Sequence, residues 1–268
     1  MKRVISVLLL SFLLYCGCTK ENKSEVDNQW ITENYPTTYH QIPSNTLDSL
    51  KKKYLKDKDS CFQTTLSEYG FCTSSPNYNF NCNQCCLALN QNKAHDLALI
   101  FLEKNKLYAG ISDTSATKIK SYYAFGKSYL CTSDSSTWNI VIGNQVYSGL
   151  EVVNTGIYLR LNFYGVTEAT GNWYPVITIP KKEAYSYDMA KSSLLGKQFD
   201  FMCWTMIHFK IDKDTKWVEP AQRKIVYPVS KNYTIELHVV WVLETTGFSF
   251  YIDVMTGEVI ASMMNFVC

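Results

Sequence analysis

Between Tyr233 and Glu244 the side chains alternate with a period of two: Ile235, Leu237, Val239, Trp241 and Leu243 fall on one side, Thr234, Glu236 and His238 on the other. Only an extended strand sends successive side chains to opposite faces, so this stretch demands a β-sheet with a covered face and a polar face, and it places His238 on the polar one. Phe248, Phe250, Ile252 and Val254 repeat the pattern. The connection that follows, Asp253-Val254-Met255-Thr256-Gly257-Glu258, is specified as a tight turn: Gly257 can take a positive φ at no steric cost, and Asp253 can hydrogen-bond its own backbone two residues on. Val259 and Ala261 then begin a further strand.

Upstream the same period returns after Trp138. Ile140 and Ile142 alternate, Gly143-Asn144 turns the chain, and Val146 leads through Tyr147-Ser148-Gly149 to Leu150 and Val152. Asn154-Thr155-Gly156 turns it again into a strand with Ile157, Leu159, Leu161 and Phe163 on one face and Tyr158, Arg160, Asn162 and Tyr164 on the other. These residues are expected to form one antiparallel meander. Strand-like segments also cover Gln198 to Ile211 and Arg223 to Val229.

Helical spacing occurs in three places. Ala94, Leu97, Ala98, Phe101 and Leu102 fill every position of an i, i+3, i+4, i+7, i+8 stripe, and Glu103, Lys104 and Lys106 crowd its end. Leu47, Leu50 and Tyr54 mark a shorter helix behind Ser44, Asn45 and Thr46. Ser186 as N-cap, Asp188 in the first turn, Ala190 and Leu194 on one side and Gly196 as the stop describe a third. The order helix, strands, helix, strands defines an α+β chain.

Lys2 and Arg3 precede an apolar run from Val4 to Leu14 interrupted only by Ser6 and Ser11. The run is too short for a membrane helix, which needs about 20 residues, and reads as a signal peptide. Leu13-Leu14-Tyr15-Cys16-Gly17-Cys18 resembles a lipoprotein cleavage box, with Cys18 as the lipidated residue and Cys16 as its competitor. Loss of residues 1–17 removes Lys2 and Arg3 and leaves 24 basic against 24 acidic residues. A neutral chain without a basic block gives no electrostatic reason to bind nucleic acid.

Of the ten cysteines, eight lie beyond the leader: Cys61, Cys72, Cys82, Cys85, Cys86, Cys131, Cys203 and Cys268. An even number in an exported chain points to disulfides, with the pairing left open. Cys82, Cys85 and Cys86 also suit a thiol redox pair or three zinc ligands, but no βαβ pattern surrounds them and no second paired-cysteine motif occurs.

Several short motifs arrive in order. Ala94 to Leu107 followed by Gly110-Ile111 resembles the helix that opens the propeptides of fungalysin and thermolysin-type proteases. Gln145-Val146-Tyr147-Ser148-Gly149-Leu150-Glu151-Val152 is similar to their strand pair, and Ile157 to Gly165 to the strand after it. Ser186 to Ala190 resembles the start of a PepSY domain and Trp241 to Ile260 its ending. The resemblance covers roughly residues 93–262. It implies two consecutive PepSY-like units of helix plus antiparallel sheet, the first of the FTP type at 93–180 and the second at 181–268. Ahead of them, outside the resemblance, the composition reads as a tether at 18–45 and a cysteine-rich segment at 46–92.

Such propeptides precede a zinc protease marked by His-Glu-x-x-His, and no such motif occurs in this sequence. His40, His95, His208 and His238 share no metal-ligand spacing, no Gly-x-Ser-x-Gly elbow is present, and neither is a Gly-rich phosphate loop. The expectation is a non-catalytic lipoprotein of the bacterial cell envelope, held to the membrane by its lipid alone, without metal or cofactor. The resemblance implies a secreted protease as its partner, inhibited or assisted in folding in trans, with another envelope protein as the alternative partner. The competing readings are a structural or adhesion lipoprotein, and a thiol-redox or metal-binding protein built on Cys82, Cys85 and Cys86.

Overall fold

The computed structural model describes residues 30–55, 64–74, 89–104, 119–127, 136–162 and 164–266. Among them are three helices and a majority of strands, an α+β architecture.

A four-stranded antiparallel sheet carries the first layer. Its strands are β5 (Ile119–Lys127), β6 (Ser136–Ile142), β9 (Gly156–Asn162) and β10 (Gly165–Asn172), in the order β10-β9-β6-β5. Ile140, Ile142, Ile157, Leu159, Leu161 and Ala169 turn to one face and are fully buried there. The helix α2 (Gln91–Lys104) lies on that face with Ala94, Ala98 and Leu102 inward, as its stripe requires. Its start is fixed by Asn90, whose side-chain oxygen accepts the Lys93 N–H at 3.0 Å. The helix α1 (Ser44–Leu55) contributes Leu47, and the hairpin of β3 (Thr64–Leu66) and β4 (Cys72–Ser74) contributes Leu66 and Cys72 to the same core. The Thr64 hydroxyl donates to the Ala169 carbonyl at 3.0 Å and accepts the Ala169 N–H at 2.7 Å, which satisfies the outer edge of β10 at that residue.

The second sheet has eight strands. At its centre β13 (Trp217–Lys231) and β14 (Thr234–Thr245) form a long antiparallel pair, joined by Asn232 and Tyr233 at φ 46° and 63°, the conformation of a two-residue hairpin turn. Beyond β14 come β15 (Phe248–Asp253) and then β16 (Val259–Met264). One face is covered by α3 (Tyr187–Ser193) and by the hairpin of β11 (Gln198–Met202) and β12 (Met206–Lys210). Phe201 and Phe209 stack on Phe248 at 4.6 and 4.4 Å, and Phe199 meets Phe250 at 4.7 Å, so aromatic contacts weld the hairpin to the sheet. Ser186 caps α3 through Met189, and Gly196 follows its end at φ 80°.

Two expectations need correction. Residues 30–45 are not a simple tether: β1 (Ile31–Thr32) and β2 (Thr37–His40) join the large sheet, where β2 pairs with β14. Thr37 and Tyr39 are buried, and the Tyr39 hydroxyl donates to the Val176 carbonyl at 2.8 Å and accepts the Val176 N–H at 3.1 Å. Nor does the pair β7 (Gln145–Tyr147) and β8 (Leu150–Val152) stay in the meander with β9. It crosses to the large sheet, where β8 runs parallel to β13 and Val152 enters the core around Val226. The anchor is Gln145: its amide donates to the Tyr174 carbonyl at 2.6 Å and accepts the Tyr174 N–H at 2.9 Å, all three groups being buried. The large sheet therefore draws four of its strands from residues before 181, and the two layers interleave along the chain rather than following one another.

Candidate functional site

The distal edge of β14 is shared. Its first half, Thr234 to Leu237, pairs with β2, and its second half, Val240 to Glu244, pairs with β15. Between them His238 and Val239 face the gap where the two shorter strands meet end to end. Tyr35, just before β2, fills that gap. Its hydroxyl accepts the Val239 N–H at 3.1 Å and donates to Asp253 Oδ2 at 2.6 Å, while the Val239 carbonyl takes the Val254 N–H at 3.0 Å. Both backbone groups of Val239 are thereby satisfied.

His238 completes the cluster. Its Nδ1 lies 2.7 Å from Asp253 Oδ2, and its Nε2 lies 3.2 Å from Glu236 Oε2. An imidazole can donate from both nitrogens only as the cation, so two facing carboxylates select the protonated ring. Burial opposes that charge, but the hydrogen bonds and charges of Asp253 and Glu236 outweigh it and hold the His238 pKa above its ordinary value. Burial likewise works against the Asp253 carboxylate, and His238, Tyr35 and two backbone N–H groups reverse the balance and depress its pKa. For Tyr35, burial and then the neighbouring Asp253 push the phenol strongly upward, so it remains a donor. With both ring nitrogens committed, His238 holds the junction together and has no nitrogen left for a metal or a substrate.

Asp253 has a second role. Its Oδ1 accepts the N–H groups of Met255 and Thr256 at 2.7 and 2.8 Å, and the Gly257 N–H closes the turn on the Asp253 carbonyl at 3.0 Å. Gly257 has φ 70°, and a Cβ there would lie 2.4 Å from the Tyr185 ring. The same carboxylate thus fixes the junction and aims the chain into β16.

β16 pairs with β15 on one side and hydrogen-bonds to no strand on the other among the described residues, while β11 comes within 8 Å of it between Cα atoms. Asn265 turns its N–H inward to the Gly247 carbonyl at 2.9 Å, so by strand alternation the N–H groups of Met264 and Ser262 point to the outer edge. Val259-Ile260-Ala261-Ser262-Met263-Met264 contains no charge and no proline, the two devices that usually blunt such an edge, and Met263 and Phe266 are nearly half exposed beside it.

Of the residues singled out in the sequence, Cys18, Cys61, Cys82, Cys85, Cys86, Cys131 and Cys268 lie outside the described residues. Cys72 is buried in β4, and Cys203, at the tip between β11 and β12, is disulfide-bonded. His40 contacts Thr32 and His208 bonds Asp200 at 2.7 Å, both at exposed positions, and the half-buried His95 lies 3.6 Å from Asp96. The alternation places His238 on a polar face, yet it is only 7% exposed, with Tyr35, Asp253 and Glu236 packed around its ring. No group of three metal-ligating side chains occurs among the described residues, and none of their helices is long and apolar enough to cross a membrane.

These elements define an α+β protein whose large mixed sheet is locked at a buried His-Asp pair flanked by the partly exposed Tyr35 and Glu236, and ends in an uncharged edge strand. No family model matches the sequence, and no curated protein does. Among solved structures it is similar to the Bacillus megaterium YpeB C-terminal domain, at 10% identity and a TM-score of 0.31, over 84% of this chain and 98% of that one.

Proposed function

We propose that the chain is a non-catalytic, lipid-anchored envelope protein that binds another protein by strand addition at β16, and that the partner is a secreted thermolysin-type metalloprotease. The observation that carries this reading is the outer edge of β16: a row of backbone donors and acceptors with no charge, no proline and no hydrogen-bonded strand among the described residues. An extended segment adds to such an edge through main-chain hydrogen bonds, and the exposed Met263 supplies an apolar contact beside it. The resemblance of residues 93–262 to protease propeptides supplies the class of partner. Cys18 carries the lipid, the residues that follow it lead to β1, and Cys82, Cys85 and Cys86 are oxidised in disulfides, which keeps them structural.

The test is titration of the mature chain against a panel of secreted thermolysin-type proteases, following both activity and binding. Inhibition or complex formation at nanomolar concentration is expected. Neither across the panel would leave the adhesion or scaffold reading in its place. Thiol titration of the native protein decides the cysteine part: reactive thiols or bound zinc at Cys82, Cys85 and Cys86 would overturn it.

A further inference from the structure

Where the chain crosses between the two sheets, three glycines stack: Gly143 after β6, Gly156 at the start of β9 and Gly171 near the end of β10. A Cβ on Gly171 would lie 1.9 Å from the Gly156 carbonyl oxygen, and one on Gly143 would lie 2.8 Å from the Gly156 Cα, so backbone meets backbone with no room for a side chain. Beside this backbone floor opens a groove of about 470 Å³, within the range of ~300–1,000 Å³ usual for small-molecule sites.

The lining is polar and electrically balanced. Glu151 brings the one formal charge, and both its oxygens are engaged: Oε1 by the Asn144 amide at 2.6 Å and Oε2 by the Arg223 guanidinium at 2.9 Å. The Thr155 hydroxyl is spent inward on the Val152 carbonyl and the Gln145 N–H. Asn154, held at φ 56° in its turn, and Asn172, opposite Gly156 in the β9–β10 ladder, add two carboxamides. Tyr158, 56% exposed in the middle of β9, adds an aromatic face.

We propose that this groove binds a neutral saccharide. An anion would meet the Glu151 carboxylate, and a cation would have to displace Asn144 and Arg223 to reach it. Each carboxamide offers a donor and an acceptor side by side, which matches adjacent sugar hydroxyls that both give and take a proton. The exposed ring of Tyr158 covers the C–H face of a pyranose. This inference stands apart from strand addition at β16, and either can fail alone.

The experiment is an NMR titration of the full mature chain with chitobiose, cellobiose and maltose, with inorganic phosphate and trialanine as comparators. At least one disaccharide is expected to shift the amides of Asn154 to Gly156 and Asn172 saturably. Tyr158→Ala and Asn172→Ala are each expected to weaken that binding about tenfold or more at unchanged melting temperature, while Tyr233→Ala, at the distant β13–β14 turn, leaves it unchanged. No shift with any of the sugars at about 20 mM, enough to reveal a millimolar Kd, would overturn the proposal. So would shifts with phosphate or trialanine alone, or binding that survives both groove substitutions.

Discussion

Tyr35 donates a 2.6 Å hydrogen bond to Asp253 from 218 residues away in the chain, and that bond joins the strand that enters the large sheet first to the hairpin that leaves it last. Because the same hydroxyl accepts the Val239 N–H, Tyr35 stands in for the ladder that neither β2 nor β15 provides at that residue.

Tyr35→Phe removes the hydroxyl, leaves the Val239 N–H without its partner and leaves Asp253 Oδ2 with His238 alone. The loss expected in urea denaturation is ~1–3 kcal/mol, the cost of orphaned buried polar groups. Tyr233→Phe, on an exposed turn residue, should change stability by under about 0.5 kcal/mol.

Folding stability should depend on pH through the same cluster. His238 has a raised pKa, so the stability it contributes is complete below its ordinary 6.5 and is lost as pH rises through the folded-state value. Asp253 has a depressed pKa, so its contribution is complete above its ordinary 3.8 and is lost as pH falls through the folded-state value. Their joint contribution is greatest between those two limits. Denaturation curves across pH should show the alkaline decline in the wild type and a flatter one in His238→Gln; equal slopes would contradict the assignment.

Gly257→Ala combines a left-handed φ of 70° with a Cβ driven into the Tyr185 ring. A loss of ~1–3 kcal/mol is expected, and Tyr185→Ala in the same chain should recover only the steric part, leaving the backbone cost of ~1 kcal/mol. Differential scanning calorimetry of the two single variants and the double variant separates them.

Gln145→Ala should be among the more damaging single substitutions away from the apolar core. It strips both hydrogen bonds from the buried backbone of Tyr174, at ~1–3 kcal/mol for each group left unpaired. Because Gln145 carries β7 into the large sheet, protection of the β8 amides from hydrogen exchange should fall with it.

Local signals were legible where local physics decides. The stripe from Ala94 to Leu102, the Ser186 cap and the Asp253–Gly257 turn all form as their residues dictate. His238 was placed on a polar face because Glu236 and Thr234 share its parity. The run Val239-Val240-Trp241-Val242-Leu243 carried the opposing signal, since an unbroken apolar stretch marks a strand covered on both sides. Tyr35 and β2 carry no local signal: four residues pair with a strand some two hundred positions away, and Thr37 and Tyr39 are buried by that strand together with Phe71 and residues 174–178, all remote in sequence. The crossing of β7 and β8 was hidden likewise, because a hairpin's own pattern does not say which sheet it joins.

The claim that β16 is the docking edge is tested most directly by hydrogen exchange at the amides of Ser262 and Met264, with and without a bound metalloprotease. Their N–H groups point outward, so both should exchange readily in the isolated chain and become protected in the complex, while Ser262→Pro should weaken binding without lowering the melting temperature. A complex that forms with these two amides still exchanging as before, or with full affinity in Ser262→Pro, would contradict strand addition at this edge.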